Sequence, residues 1–154
     1  MTTLTDIYDK MISNGSLEND LCQREIVEQL ENISRQVSNL NKNSIFFRKS
    51  SDINGAYIWG GVGCGKSMLM DLFVENLSIP NLRVHFHAFM QEIHNSLHKA
   101  RSSGVKDPLA LVANEVIKNF KVLALDEMQI KDITDAMIVG RLFNLLFDGG
   151  VVIV

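Results

Sequence analysis

Apolar positions along the chain switch repeatedly between a helical and an extended period. From Asp20 to Leu40 they step as Ile26, Leu30, Ile33 and Val37, one apolar stripe on a helix. Residues Asn41–Asn54 are polar and read as a linker, and Ala56-Tyr57-Ile58-Trp59 predicts a short first strand. A helix opens at Gly65 and runs to about Leu77, with Met68, Leu69, Leu72 and Phe73 inward and Pro80 closing the unit. Leu82–His87 predicts a second strand, and a helix from about Ala88 to Ala100 buries Phe89, Ile93 and Leu97. Asp107-Pro108 starts another helix, with Leu111, Val112, Val116 and Ile117 inside. Lys121–Asp126 is a continuous apolar run, as in a strand buried on both faces. Asp132 caps a helix to about Phe147, with Ile133, Met137, Leu142 and Leu146 inside and Gly149 as its stop. Gly150–Val154 begins a fourth strand.

Strands alternating with helices imply βαβ units and a parallel sheet, hence an α/β fold. The expected organisation is a helical segment and linker over residues 1–54, followed by a core over 55–154. A chain that stops inside an apolar β-branched run predicts a fragment cut within the fourth strand.

Composition narrows the function. The 154 residues are 46% hydrophobic, enough for a folded core. Lys and Arg number 15 against 18 Asp and Glu, a net charge of −3, which argues against a dedicated nucleic-acid binder. No apolar run approaches the roughly 20 residues of a membrane helix. The amino end lacks the basic start and apolar stretch of a secretory signal, and Asp6, Asp9, Glu18 and Asp20 precede the first arginine, Arg24, unlike a transit peptide. The expected compartment is the cytoplasm, which also suits two cysteines, Cys22 and Cys64, without metal-ligand spacing.

The chemistry concentrates in two strings. Gly60-Gly61-Val62-Gly63-Cys64-Gly65-Lys66-Ser67 fits Gly-x-x-x-x-Gly-Lys-Ser/Thr, with a strand expected before it and a helix after. The glycines let backbone N–H groups close on phosphates, and the helix amino end adds its dipole. Lys66 suits the β- and γ-phosphates of ATP, and the Ser67 hydroxyl suits Mg²⁺. The second string is Val122-Leu123-Ala124-Leu125-Asp126-Glu127. An acid at the carboxyl end of a buried strand beside such a loop can hold Mg²⁺, the role expected of Asp126. Glu127 is then the expected general base toward water. Two acids at a strand end are by themselves a weak signal, and the phosphate loop supplies the context.

Other chemistry-bearing residues read as structural. His94 and His98 lie one helical turn apart, but Asn95 stands where a zinc-protease helix needs glutamate. His85 and His87 fall on one face of the expected second strand. Cys64 lies close to Lys66, a setting in which redox control is the sharper reading, but a position needing only its backbone explains it more simply. Met68, Met70, Met90, Met128 and Met137 read as core filling.

The run Tyr57–Phe73 resembles the phosphate-loop region of the ZapE family, bacterial division-associated ATPases similar to the mitochondrial ATPase-family-gene-one proteins. The resemblance continues through Arg83–Met90, Asp107-Pro108-Leu109 and Asp126–Met137, and Asp20-x-x-Gln23 looks like the family's first helix start. It implies a P-loop ATPase core of the AAA+ type, possible oligomers, and action on protein partners at the bacterial division ring. Met128 stands where the family usually has Phe, and family members run to more than twice this length. The implied remainder would hold a polar sensor residue, a fifth strand, an arginine finger and a helical lid. The alternative is a hydrolysis-incompetent remnant that binds only nucleotide or a partner. A third reading, a helicase-loader relative on single-stranded DNA, is disfavoured by the charge and the family strings.

Overall fold

The computed structural model describes residues 2–42 and 53–154; most of the expected linker therefore lies outside the described residues. Helix α1 spans Leu4–Ser13 and α2 Leu21–Lys42. Helix α1, which hydrophobic period alone did not single out, begins in a capping box. Thr3 Oγ1 accepts from the Asp6 N–H, and Asp6 returns a bond to the Thr3 N–H. Asp20 caps α2, its Oδ1 accepting from the N–H groups of Cys22 and Gln23 at 2.8 and 3.3 Å. The stripe of α2 is led by Val27 rather than Ile26, and Val27, Leu30, Ile33 and Val37 are all buried.

Next come α3 (Lys66–Glu75), β1 (Asn81–His85), α4 (Phe86–Ser102), α5 (Pro108–Asn119), β2 (Val122–Asp126), α6 (Ile133–Asp148) and β3 (Val152–Ile153). The sheet is parallel in the order β1-β2-β3, with His85 registered against Asp126 and Leu123 against Ile153. All five residues of β2 are buried. Leu123 and Leu125 pack with α4, α5 and α6, while Val122 joins Val152 and Val154 against α1, α2 and α3. Helices therefore cover both faces, as the unbroken apolar run required. The α1–α2 pair shares this second core with the sheet rather than packing by itself. No helix among the described residues is long and apolar enough to cross a membrane.

Several expectations need correction. Residues 56–59 are not a regular strand: the Ala56 N–H donates to the Ile153 carbonyl at 3.1 Å, but the ladder goes no further. The segment is nonetheless extended in character, with Ala56 and Ile58 packed inward and Tyr57 and Trp59 exposed. It flanks β3, which thus lies between it and β2. The second strand stops at His85, because the buried Phe86 already anchors α4. His85 and His87 therefore share no strand face. Leu111 is exposed while Leu109 and Ala113 are buried, so the inner face of α5 is rotated from the expected one. Ile133 and Met137 are 81% and 76% exposed, because α6 enters the core only from Val139 onward.

Close approach to β3 constrains Gly55, where a Cβ would lie 1.9 Å from the Ile153 carbonyl oxygen, a backbone atom unable to step aside. Gly140, on the exposed side of α6, has nothing within 4 Å of that position. Gly55→Ala should lower the unfolding free energy by about 1–3 kcal/mol or more, whereas Gly140→Ala should raise it by about 0.5–1 kcal/mol. Urea unfolding of both variants checks the opposite signs.

Candidate functional site

The loop 60–65 follows the extended segment and delivers the chain into α3 at the carboxyl end of the sheet, where α/β folds bind ligands. Gly63 and Gly65 take φ of 83° and 80°, left-handed values that a side chain resists. Gly65 is the N-cap of α3 and brings no side-chain cap, so the first-turn N–H groups of the helix are available to an anion. Gly60, Gly61, Val62 and Gly63 are exposed, Val62 fully. Lys66 Nζ reaches back along the loop and donates to the carbonyls of Gly60 and Gly61, each at 2.7 Å. Cys64 Sγ donates to the Gly61 carbonyl at 2.6 Å and lies 3.6 Å from Lys66 Nζ.

From α3, the Ser67 hydroxyl donates to Asp126 Oδ2 at 2.9 Å. The same oxygen accepts from Arg83 Nη2 of β1 at 2.8 Å, and Arg83 Nε donates to Asp71 of α3 at 2.9 Å. The other carboxyl oxygen, Oδ1, accepts from the Glu127 N–H at 3.0 Å. Burial pushes the Asp126 carboxyl upward. The bonds from Arg83 and Ser67, with the Arg83 charge, outweigh that and hold it below the usual carboxylate value. Glu127 is exposed and carries φ of 52°, the one non-glycine residue in the left-handed region among those described. That turn ends β2 abruptly and separates the two acids, one buried and one in solvent.

A cavity of about 240 Å³ is lined by Gly60, Lys66, Asp126 and Glu127 together with Trp59 and Met128. Gly60 and Lys66 of the first string and Asp126 and Glu127 of the second thus line one cavity. A hydroxyl and a carboxylate oxygen in contact are the hard donors that Mg²⁺ takes, so Ser67 and Asp126 suit that ion, and the glycine loop suits a polyphosphate. His94 and His98 are elsewhere: His94 Nε2 meets Asp135 Oδ1 at 2.6 Å, and His98 is exposed; His85, by contrast, brings Nδ1 to 4.0 Å from Asp126 Oδ2. Two further residues of the site, Arg83 and Gln23, stood in strings quoted for the resemblance but were given no site role. Arg83 is also a lone charge inside a short apolar strand. Gln23 Nε2 donates to the Cys64 carbonyl at 3.1 Å across 41 residues of sequence, and its one signal was the Asp20-x-x-Gln23 string of the resemblance, read only as a helix start.

Comparison with known proteins finds relatives along nearly the whole chain. The family model described as AFG1-like ATPase matches residues 2–154. The cell division protein ZapE of Escherichia coli K12 is 36% identical over 99% of this chain and 44% of its own length. Lactation elevated protein 1 homolog B of Danio rerio is 40% identical over 97% of the chain and 30% of its own length. An uncharacterised Schizosaccharomyces pombe protein is 44% identical over 64% of the chain. The chain spans less than half the length of these relatives. No solved structure matches it significantly.

The Asp126 ion pair has a definite pH signature. Because the folded-state carboxyl titrates low, its stabilising effect is complete above the unfolded value of about 3.9 and is lost as pH falls through the folded value. Arg83→Leu should therefore destabilise the fold at pH 7 by about 1.5–3 kcal/mol, the usual range for a hydrogen bond to a charged group. The difference from the parent should shrink as pH falls below about 3.9, because the unfolded chain then takes up the proton that the Arg83-paired carboxyl resists. Urea unfolding at pH 7 and pH 3 measures it.

Proposed function

The chain belongs to the AFG1-like ATPase family, and on that footing we propose that it binds Mg²⁺-ATP at loop 60–67 and hydrolyses it. The observation that carries this reading is the convergence of Lys66, Asp126 and Glu127 on one cavity, with Ser67 bonded to Asp126 at its edge. When bound, ATP supplies the reactive phosphoanhydride and Mg²⁺ neutralises charge on its phosphate oxygens. The loop N–H groups and the amino end of α3 bind the phosphates. Lys66 exchanges its two loop carbonyls for phosphate oxygens and orients them, a catalytic as well as a binding role. Ser67 and Asp126 hold the metal. Glu127, exposed beside them, orients a water and accepts its proton as general base.

Coupling of that turnover to protein partners extends the reading one step. One relative bears the name cell division protein, and by that likeness the partners proposed here belong to the division machinery, in the cytoplasm. The net charge of −3 keeps nucleic acid from being the favoured target.

Lys66→Ala should abolish binding of a fluorescent ATP analogue; unchanged affinity would sink the loop assignment. Glu127→Gln should keep nucleotide bound while phosphate release falls by about a hundredfold or more. Loss of binding together with turnover would show that the two acids had been given the wrong roles. Nucleotide binding without release in the parent chain would support the binding-only alternative instead.

A further inference from the structure

Gln23 lies outside both chemical strings, yet it reaches the phosphate loop where the loop becomes helix. Its Nε2 donates to the Cys64 carbonyl at 3.1 Å, and its amide lies so close to Gly65 that a Cβ there would come within 2.8 Å of Nε2. The other end of the amide is also held. Tyr8 Oη, on a fully buried side chain of α1, donates to Gln23 Oε1 at 3.1 Å. The Cys64 carbonyl can only accept and so draws the amide nitrogen toward the loop, and Tyr8, whose hydroxyl also lies 3.4 Å from the Asp20 carbonyl, satisfies the oxygen turned toward α1. The Asp20 cap fixes the first turn of α2 beneath it, accepting from the Gln23 N–H itself. A relay thus runs from α1 through α2 to the loop: Tyr8, Gln23, then the Cys64–Gly65 peptide.

In a trans peptide the C=O and N–H point in opposite directions. Holding the Cys64 carbonyl toward α2 therefore turns the Gly65 N–H away from α2. That N–H is one of the loop donors a phosphate would use, and it belongs to the residue that caps α3 with φ of 80°. A glycine hinge with a left-handed φ has an accessible alternative in which this peptide rotates. The bond from Gln23 opposes that rotation.

We propose that Gln23 is a positioning residue of the nucleotide site: it sets the Cys64–Gly65 peptide plane so that the Gly65 N–H faces the phosphates, with Tyr8 satisfying its amide oxygen. This rests on the reading of loop 60–67 as a nucleotide site. It also gives the α1–α2 pair a part in ligand binding beyond its share of the core. The bond from Gln23 joins the helical pair to the loop beside Gly65, whose φ is left-handed.

The decisive variant is Gln23→Met, which keeps length and packing against Gly65 but cannot donate. The full chain is titrated with N-methylanthraniloyl-ATP in the presence of Mg²⁺, and amide exchange is followed residue by residue without nucleotide. Affinity should fall about three- to tenfold, the scale of one hydrogen bond. Exchange should quicken at residues 63–67 while protection in β2 and the melting temperature stay at parent values. Tyr8→Phe should change both readouts in the same direction by less. Unchanged affinity in Gln23→Met, with the parent binding, overturns the proposal. So does a general fall in protection and melting temperature, which would mark Gln23 as a packing residue only. If the parent chain binds no nucleotide while Lys66→Ala behaves identically, the loop reading fails. The exchange arm then still decides the grip of Gln23, since unchanged exchange at residues 63–67 would overturn it.

Discussion

One carboxylate oxygen joins the three elements on which the site depends. Asp126 Oδ2 accepts from Ser67 on α3 and from Arg83 on β1 while standing at the end of β2. An acid so deeply buried is tolerated only because donors surround it, and the cation beside it keeps it ionised. Any movement of α3 relative to the sheet would break one of these bonds and leave a buried charge short of a partner. The loop that precedes α3 is therefore anchored from its far end. Arg83 extends the anchor by also holding Asp71 on the same helix, so that one guanidinium spans β2 and α3.

The opposite side of the loop is held by different means. There the α1–α2 pair meets the sheet through a shared apolar cluster that includes Tyr8, Val27, Leu30, Phe73 and Val152. Within that cluster Glu31 is buried, yet it accepts from Thr5 of α1 and from Arg35 on its own helix, and the Thr5 bonds foremost hold its carboxyl below its usual value. The helical pair is thus clipped together by a satisfied charge and fastened to the sheet by apolar burial. Gln23 carries that fixed geometry across to the loop.

Much of this was written in the local pattern of the chain. The glycine loop, the buried strand with its terminal acids, and the helices from α2 to α6 follow from periodicity, caps and glycine spacing, because those signals act over a few residues. Asp107, Asp132 and Asp20 cap where their side chains can reach the next N–H groups. The α/β class follows from the same alternation, and the family match agrees with it. Errors arose where a periodic stripe was assumed to be buried along its whole length. Ile133, Met137 and Leu111 have the right spacing and lie on surfaces that nothing in the described chain covers. The first strand was overread for a related reason: extended, aromatic-rich residues make a strand only where a neighbour completes the ladder.

The sequence by itself determined the identity and order of the groups that meet at the loop, since a glycine-lysine-serine string and a strand-ending acid pair are chemical statements complete within a few residues. Only the tertiary structure decided which other residues join them. Arg83 reaches Asp126 across 43 positions, and Gln23 reaches Cys64 across 41. No period or motif spans such distances, because these contacts exist only once parallel strands have brought their carboxyl ends together and α2 has packed against α3. The left-handed turn at Glu127, which parts a buried carboxylate from an exposed one, likewise depends on the sheet ending there.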